Sequence, residues 1–215
     1  MRFYAVADIH ARPDRLARIR EHVQTHAPDA VVIAGDVVSY VNPGSVYRFL
    51  GELGVPVLMI RGNTDLAWHE RCIQRHANLL SLHMEKIMVR GYPFVGVSGA
   101  LAVPFRTRFR LFEKRLLEKA ASLVCPKTIL VVHSPPYGVL DQVLGKVSAG
   151  SKGGAKLVFD RTPRLVLCGH IHEAAGVRIV GKTTIVNCSI GSAGEGVLVH
   201  LDGDGDNDLP VVRQL

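Results

Sequence analysis

Five short segments of this 215-residue chain carry side chains that could do chemistry together. They are Asp8-Ile9-His10, Gly35-Asp36, Gly62-Asn63-Thr64-Asp65, His133-Ser134-Pro135-Pro136 and Gly169-His170-Ile171-His172. Four of the five follow an apolar, β-branched run, so each places Asp, Asn or His where a buried strand would end and a loop begin. Carboxylate, carboxamide and imidazole are the groups that hold a borderline-hard divalent metal. Asp8, His10, Asp36, Asn63, His133, His170 and His172 make seven candidate ligands, more than one ion needs. The pattern predicts two metals, and two adjacent metals usually serve hydrolysis of a phosphate ester. Asp8 and His10 alternate on an extended segment, as do His170 and His172, so each pair can face one point. A packing-only account would bury four histidines and two aspartates at strand ends without partners, which is costly.

Those strand ends imply a particular scaffold. Arg2 to Ala7, Ala30 to Ala34, Val55 to Ile60, Thr128 to Val132 and Leu165 to Cys168 read as strands, most of them buried on both faces. Pro13 to His26, Gly44 to Leu53 and Leu66 to His76 read as helices, with Pro13 suited to a first turn. Leu79 to His83, Lys86 to Arg90 and Tyr92 to Val97 look like short antiparallel strands. Arg106 to Leu123 is the clearest amphipathic helix, its stripe formed by Phe105, Phe109, Phe112, Leu116, Ala120 and Leu123. A short helix is expected at Ala155 to Asp160, and a closing antiparallel group at Val177 to Val180, Thr183 to Cys188 and Gly196 to Leu201. Alternating strands and helices with antiparallel strands mixed in predict an α/β sandwich. In such sheets functional groups collect at the carboxyl ends of strands. No repeat or linker divides the chain, so residues 1–215 are expected to form a single domain.

Composition narrows the class further. The chain is 47% hydrophobic and 21% charged, with no apolar run long enough to span a bilayer. Its first residues enter a strand-like segment without the apolar stretch of a secretory signal, which predicts a cytoplasmic protein. Cys72, Cys125, Cys168 and Cys188 form no Cys-x-x-Cys pair, so no zinc ribbon or redox motif is indicated. Cys168 and Cys188 read as small buried hydrophobes. The formal charge of +7 allows phosphate-bearing partners, nucleic acid included, but a solvated basic surface is the simpler reading. Arg106, Arg108, Arg110, Lys114, Arg115 and Lys119 then face water while the apolar stripe packs on the sheet. Asp202 to Asp208 superficially resembles a calcium loop, but it lacks glycine at the sixth position and Arg213 replaces the bidentate Glu. A hairpin turn is the better reading.

Taken in order, the five segments resemble the calcineurin-like metallophosphoesterase superfamily, whose pattern is Asp-x-His, Gly-Asp, Gly-Asn-x-(Asp/Glu), His, Gly-His-x-His. The match runs from Asp8 to His172. The resemblance implies a four-layer α/β/β/α sandwich with two packed mixed β-sheets. It implies two divalent metals, one held by Asp8, His10 and His172 and the other by Asn63, His133 and His170, with Asp36 bridging. Manganese, iron or zinc suits a set of oxygen and nitrogen ligands. Asp36, Asn63 and His133 would be the catalytic residues, and a hydroxide bridging the metals would attack phosphorus in line with the leaving oxygen.

Two departures sharpen the expectation. Many relatives carry His at the position of Thr64, where it is thought to protonate the leaving group and where Asp65 would orient it. Threonine cannot act as a general acid near neutral pH, so activated esters should react better than alkyl phosphates. His69 is a candidate replacement, though a surface helix histidine is the simpler reading. The second departure concerns Gly35-Asp36-Val37-Val38-Ser39-Tyr40, which lacks the arginine of the Ser/Thr protein phosphatases. His133-Ser134-Pro135-Pro136 and the following Gly-Ser-Lys loop look closer to small bacterial and archaeal phosphoesterases. Lys152 of that loop could meet a substrate phosphate, but an exposed loop lysine is the simpler reading. The expected function is a phosphodiesterase acting on a small or nucleotide-like substrate. The alternatives are a metal-dependent nuclease and a non-catalytic binding scaffold on the same fold.

Overall fold

The computed structural model describes residues 1–38, 43–99, 108–192, 194–202 and 209–215, together with the side chains of these residues apart from 108–114. In chain order the elements begin β1 (Arg2–Val6), α1 (Pro13–His26), β2 (Ala30–Ala34), α2 (Pro43–Gly51), β3 (Val57–Ile60), α3 (Glu70–Ile73) and β4 (Leu79–Ser81). They continue as β5 (Lys86–Val89), β6 (Tyr92–Val97), α4 (Arg108–Ala121), β7 (Ile129–Val132), β8 (Gln142–Val143) and β9 (Val147–Ser148). The last are α5 (Lys152–Arg161), β10 (Leu165–Cys168), β11 (Gly176–Val180), β12 (Thr183–Asn187), β13 (Val197–His200) and β14 (Val211–Gln214).

Two six-stranded mixed sheets form, in the orders β14-β13-β1-β2-β3-β4 and β11-β12-β10-β7-β6-β5. The central strands are short runs such as Ala30-Val31-Val32-Ile33-Ala34, buried at every position. Such runs lack an exposed face because each sheet is covered on both sides. Between the sheets lie Phe3, Ala5, Val32 and Leu58 from one and Phe94, Ile129, Val131 and Leu167 from the other. On the outside of the first sheet, Ile19 and Val23 of α1 and Val46, Tyr47 and Leu50 of α2 meet Tyr4, Ile33 and Met59. On the outside of the second, Leu117 and Ala120 of α4 and Leu157 and Val158 of α5 meet Val95, Leu130 and Val166. The result is the expected α/β/β/α order of layers. The parallel pairs β1–β2, β2–β3, β6–β7 and β7–β10 run their carboxyl ends to one edge. His133 follows β7 there, while the loops after β1, β2, β3 and β10 deliver the other segments.

Several expectations need correction. β4 pairs parallel to β3 in the first sheet, so only β5 and β6 of that group are antiparallel to one another. The expected closing group is divided as well. β12 is antiparallel to β11 but parallel to β10, and β13 crosses to the other sheet beside β1. Residues 66–76 hold a 3₁₀ turn at Ala67–His69 and the one-turn α3 in place of a full helix. β14 and the β8–β9 hairpin had no counterpart in the sequence pattern. The expected start of the basic helix at Arg106, its Phe105, and the turn at 203–208 lie outside the described residues, as do the side chains of Arg108, Phe109, Arg110, Phe112 and Lys114. All four cysteines are free, and Cys168 and Cys188 are buried. Among the described residues no helix is long and apolar enough to cross a membrane.

Leu167 is wholly buried in the layer between the sheets, one residue from the end of the strand that leads to His170. Truncating such a side chain removes transfer free energy and leaves a cavity. Leu167→Ala should lower unfolding free energy by about 2–5 kcal/mol in urea titrations, whereas a loss below about 1 kcal/mol would mean that the two sheets do not share one packed layer.

Candidate metal centre

Three of the five expected segments reach the site through left-handed backbone. Asp8, His10, Asp36 and His170 have φ values of 62°, 51°, 53° and 71°. Left-handed conformations in residues other than glycine cost of order 1–3 kcal/mol each and persist only where the surroundings hold them. Here backbone hydrogen bonds hold them. Asp8 N donates to the Gly35 carbonyl at 3.0 Å, His10 N to the Asp36 carbonyl at 2.9 Å and Ala11 N to the Val37 carbonyl at 2.9 Å. The first two segments are thereby locked side by side. Asp65 adds the third, its carboxylate accepting from Val37 N, Val38 N and Gly62 N at 3.1, 3.0 and 2.9 Å. Asp65 thus ties two loops together. Gly62 is required for the same approach, because a Cβ there would fall on the Asp36 carboxylate.

The seven candidate side chains are brought together. Asp8, His10 and His172 each place a ligand atom within 4.8 Å of the others, and so do Asp8, Asp36 and His133. His172 Nε2 lies 3.5 Å from Asp8 Oδ1, and His10 Nε2 lies 3.8 Å from Asp36 Oδ2. His133 is wholly buried, and its Nδ1 donates to the Ala34 carbonyl at 2.8 Å, so in the neutral ring Nε2 is the acceptor. That Nε2 sits 3.5 Å from Asp36 Oδ2 and 2.9 Å from Asn63 Oδ1. His170 Nδ1 approaches the same Asn63 oxygen at 3.0 Å. Two imidazole nitrogens meet one carboxamide oxygen beside two buried carboxylates, an oxygen and nitrogen donor set that fits a divalent metal.

Electrostatics hold the carboxylates charged and divide the rings. Asp8 is wholly buried and Asp36 nearly so, at 3% exposure. Burial works to raise the Asp8 carboxyl, but the His172 hydrogen bond, His133 and Ser189 outweigh it and hold the group below its ordinary value. His172 is pulled up by its bond to Asp8, and burial of His133 is outweighed by Asp36, which raises that ring too. Burial lowers His10 and His170, keeping both rings in the neutral form a metal requires.

Other residues have roles the sequence did not announce. Asn187 ends β12, its amide donating to the Ile171 carbonyl at 2.9 Å and its oxygen accepting from Ser189 N at 3.1 Å. It too is a polar residue closing an apolar, β-branched run, so the same signal was present. Thr64 N donates to Asp36 Oδ1 at 2.9 Å and its hydroxyl to the Val38 carbonyl at 2.7 Å, a structural use of the position. His69 corrects the expectation of a surface histidine. It is wholly buried, with its ring 4.4 Å from Trp68 and 6.0 Å from Tyr47, and its Nδ1 accepts from Leu66 N. Lys152 is exposed at the start of α5, with its ammonium 5.0 Å above the Tyr137 ring.

The family model for calcineurin-like phosphoesterases matches residues 1–174, most of the chain. The chain belongs to the calcineurin-like phosphoesterase family. It is therefore a metallophosphoesterase, with a cluster of Asp and His side chains suited to divalent metal ions. The uncharacterised protein MJ1162 of Methanocaldococcus jannaschii is 26% identical over 88% of each chain. Human metallophosphoesterase domain-containing protein 1 is 29% identical over 88% of this chain, which spans 66% of that longer relative. Among solved structures, a dimetal phosphatase from Danio rerio superposes with a TM-score of 0.68 at 12% identity, covering 99% of this chain and 98% of the other. That likeness shows the fold.

Burial works to raise the Asp36 carboxyl, yet the His133 ring, the Thr64 amide and His10 hold it at about 2. A depressed carboxylate contributes stability that is present above its unfolded value and is lost as pH falls through the folded one. Metal-stripped protein should lose about 2 kcal/mol of unfolding free energy between about pH 5 and pH 2 through this group. Asp36→Asn should flatten that part of a urea-denaturation pH series, and an unchanged slope would contradict the assignment.

Proposed function

We propose that this chain is a two-metal phosphodiesterase acting on small or nucleotide-like phosphoesters, built as one catalytic domain from residues 1–215. The observation that carries the reading is the convergence of seven oxygen and nitrogen donors from five separate loops on two overlapping points. Asp8, His10 and His172 would hold one ion, and Asn63, His133 and His170 the other, with Asp36 between them. When bound, the ions supply charge to the phosphoryl oxygens and acidify water for attack. Manganese, iron(II) and zinc all suit the donor set.

The protein's own groups do the rest. Asp36 stays ionised across the working pH range, so it keeps its charge between the two ligand groups. His133, fixed by the Ala34 carbonyl, presents Nε2 without rotating. The Thr64 hydroxyl is engaged by Val38, and His69 is packed behind Asp65, 4.0 Å from its carboxylate. Neither is placed to protonate a leaving alkoxide. Esters with acidic leaving groups avoid that need.

Two outcomes follow from a panel of phosphomonoesters and phosphodiesters assayed with added manganese. Asp36→Asn should abolish hydrolysis while circular dichroism and thermal melting show a folded protein. Full activity in that variant would remove the two-metal reading. Aryl phosphodiesters should be cleaved about 10²–10⁴ times faster than alkyl ones, the range over which general acid catalysis matters. Equal rates would mean that another acid fills the role.

A further inference from the structure

We propose that Arg15 is a positioning residue for the Asp8, His10 and His172 half of the centre, locking the Asp8 turn to the Gly191 turn through one guanidinium. The inference rests on the metal-centre reading above. Arg15 lies in the first turn of α1. Its Nη1 donates to the Asp8 carbonyl at 2.6 Å and the Ile9 carbonyl at 3.5 Å, and its Nη2 donates to the Gly191 carbonyl at 2.6 Å. Charge-assisted bonds of this length are stronger than ordinary amide bonds. Its Nε is buried without a hydrogen-bond partner, so the two terminal nitrogens make the bonds described.

The two turns it joins are the walls of one ligand group. Asp8 is in the left-handed region, with its N–H committed to Gly35, and Arg15 supplies the donor for its carbonyl. Gly191 lies flat against His172, since a Cβ at Gly191 would enter the imidazole ring. Its N–H is taken by Ser189 Oγ at 3.1 Å. A shift of the Gly191 turn therefore moves the surface on which His172 rests, while a shift of the Asp8 turn moves the carboxylate that faces His172. One planar cation with two forked donors restrains both shifts. A lysine has a single nitrogen and cannot reproduce the fork. Arg18, one turn further along α1, offers a comparison. It donates to the Gly194 carbonyl at 3.0 Å and to Glu195 Oε1 at 3.4 Å, so it holds the same loop through different residues.

The test is titration of metal-stripped protein with Mn²⁺ alone, followed by calorimetry and by electron paramagnetic resonance. Wild type should bind two ions. Arg15→Met should weaken one of them by about 10–100-fold, the range typical for partners that orient a metal ligand. The weakened ion should be the one that His172→Ala removes, and the other should stay near its wild-type affinity. Arg15→Lys should fall between, millimolar guanidinium should restore part of the loss in Arg15→Met, and Arg18→Ala should leave both affinities unchanged. Wild-type affinities in folded Arg15→Met would overturn the inference while leaving the metal centre standing. Equal weakening by Arg18→Ala, or of both ions together, would overturn it as a general loop effect. If Arg15→Met does not fold, Arg15→Lys carries the test, and wild-type affinity there contradicts the need for a fork. Absence of Mn²⁺ binding in wild type would instead defeat the metal-centre reading itself.

Discussion

Two carboxylates, Asp8 and Asp36, are buried side by side at the ends of neighbouring strands, and the arrangement around them is shaped by the need to keep them charged. A buried anion is tolerated only with donors or cations close by. Here the donors are backbone amides at His170 and Thr64, and the potential cations are the rings of His133 and His172. Beyond those amides, imidazole nitrogens lie against the two carboxylates. Such a geometry is poorly completed by protein alone and well completed by divalent metal.

The fold supplies what the carboxylates cannot supply for themselves. Parallel strands bring their carboxyl ends to one edge, and packing between and outside the sheets fixes those ends independently of the loops. The loops can then carry left-handed backbone at four of the seven proposed ligands without unravelling. Asp65 and Arg15 divide the work of holding them. Asp65 binds three amides of the loops after β2 and β3, while Arg15 binds carbonyls of the loops after β1 and β12. An anion collects N–H groups and a cation collects C=O groups, so the four loops are braced from both signs of charge.

Much of this was legible in the sequence, and the reasons it was legible are physical. Ala30 to Ala34 could be read as a strand because a short, β-branched, wholly apolar run suits a strand covered on both faces, and the polar residue closing such a run marks the site. Pairing direction was not legible. Leu79 to Ser81 looks the same whether it joins β3 in parallel or a hairpin in antiparallel, since side-chain alternation is identical in both. Helix length near residue 70 was overestimated, because the periodic apolar positions there serve burial of His69 and Ile73 around a single turn. Arg15 was hidden for another reason: its partners are backbone carbonyls, which leave no trace in residue identity. Thr64 was recognised as a departure, but its bond to Val38 required coordinates.

The central claim is that two ions sit in this one cluster, divided between its histidines and shared through Asp36. Anomalous scattering from a crystal grown with Mn²⁺ tests it most directly. The account predicts two peaks, one against Asp8, His10 and His172 and one against Asn63, His133 and His170, with Asp36 touching both. A single peak, or peaks held by other residues, would contradict it.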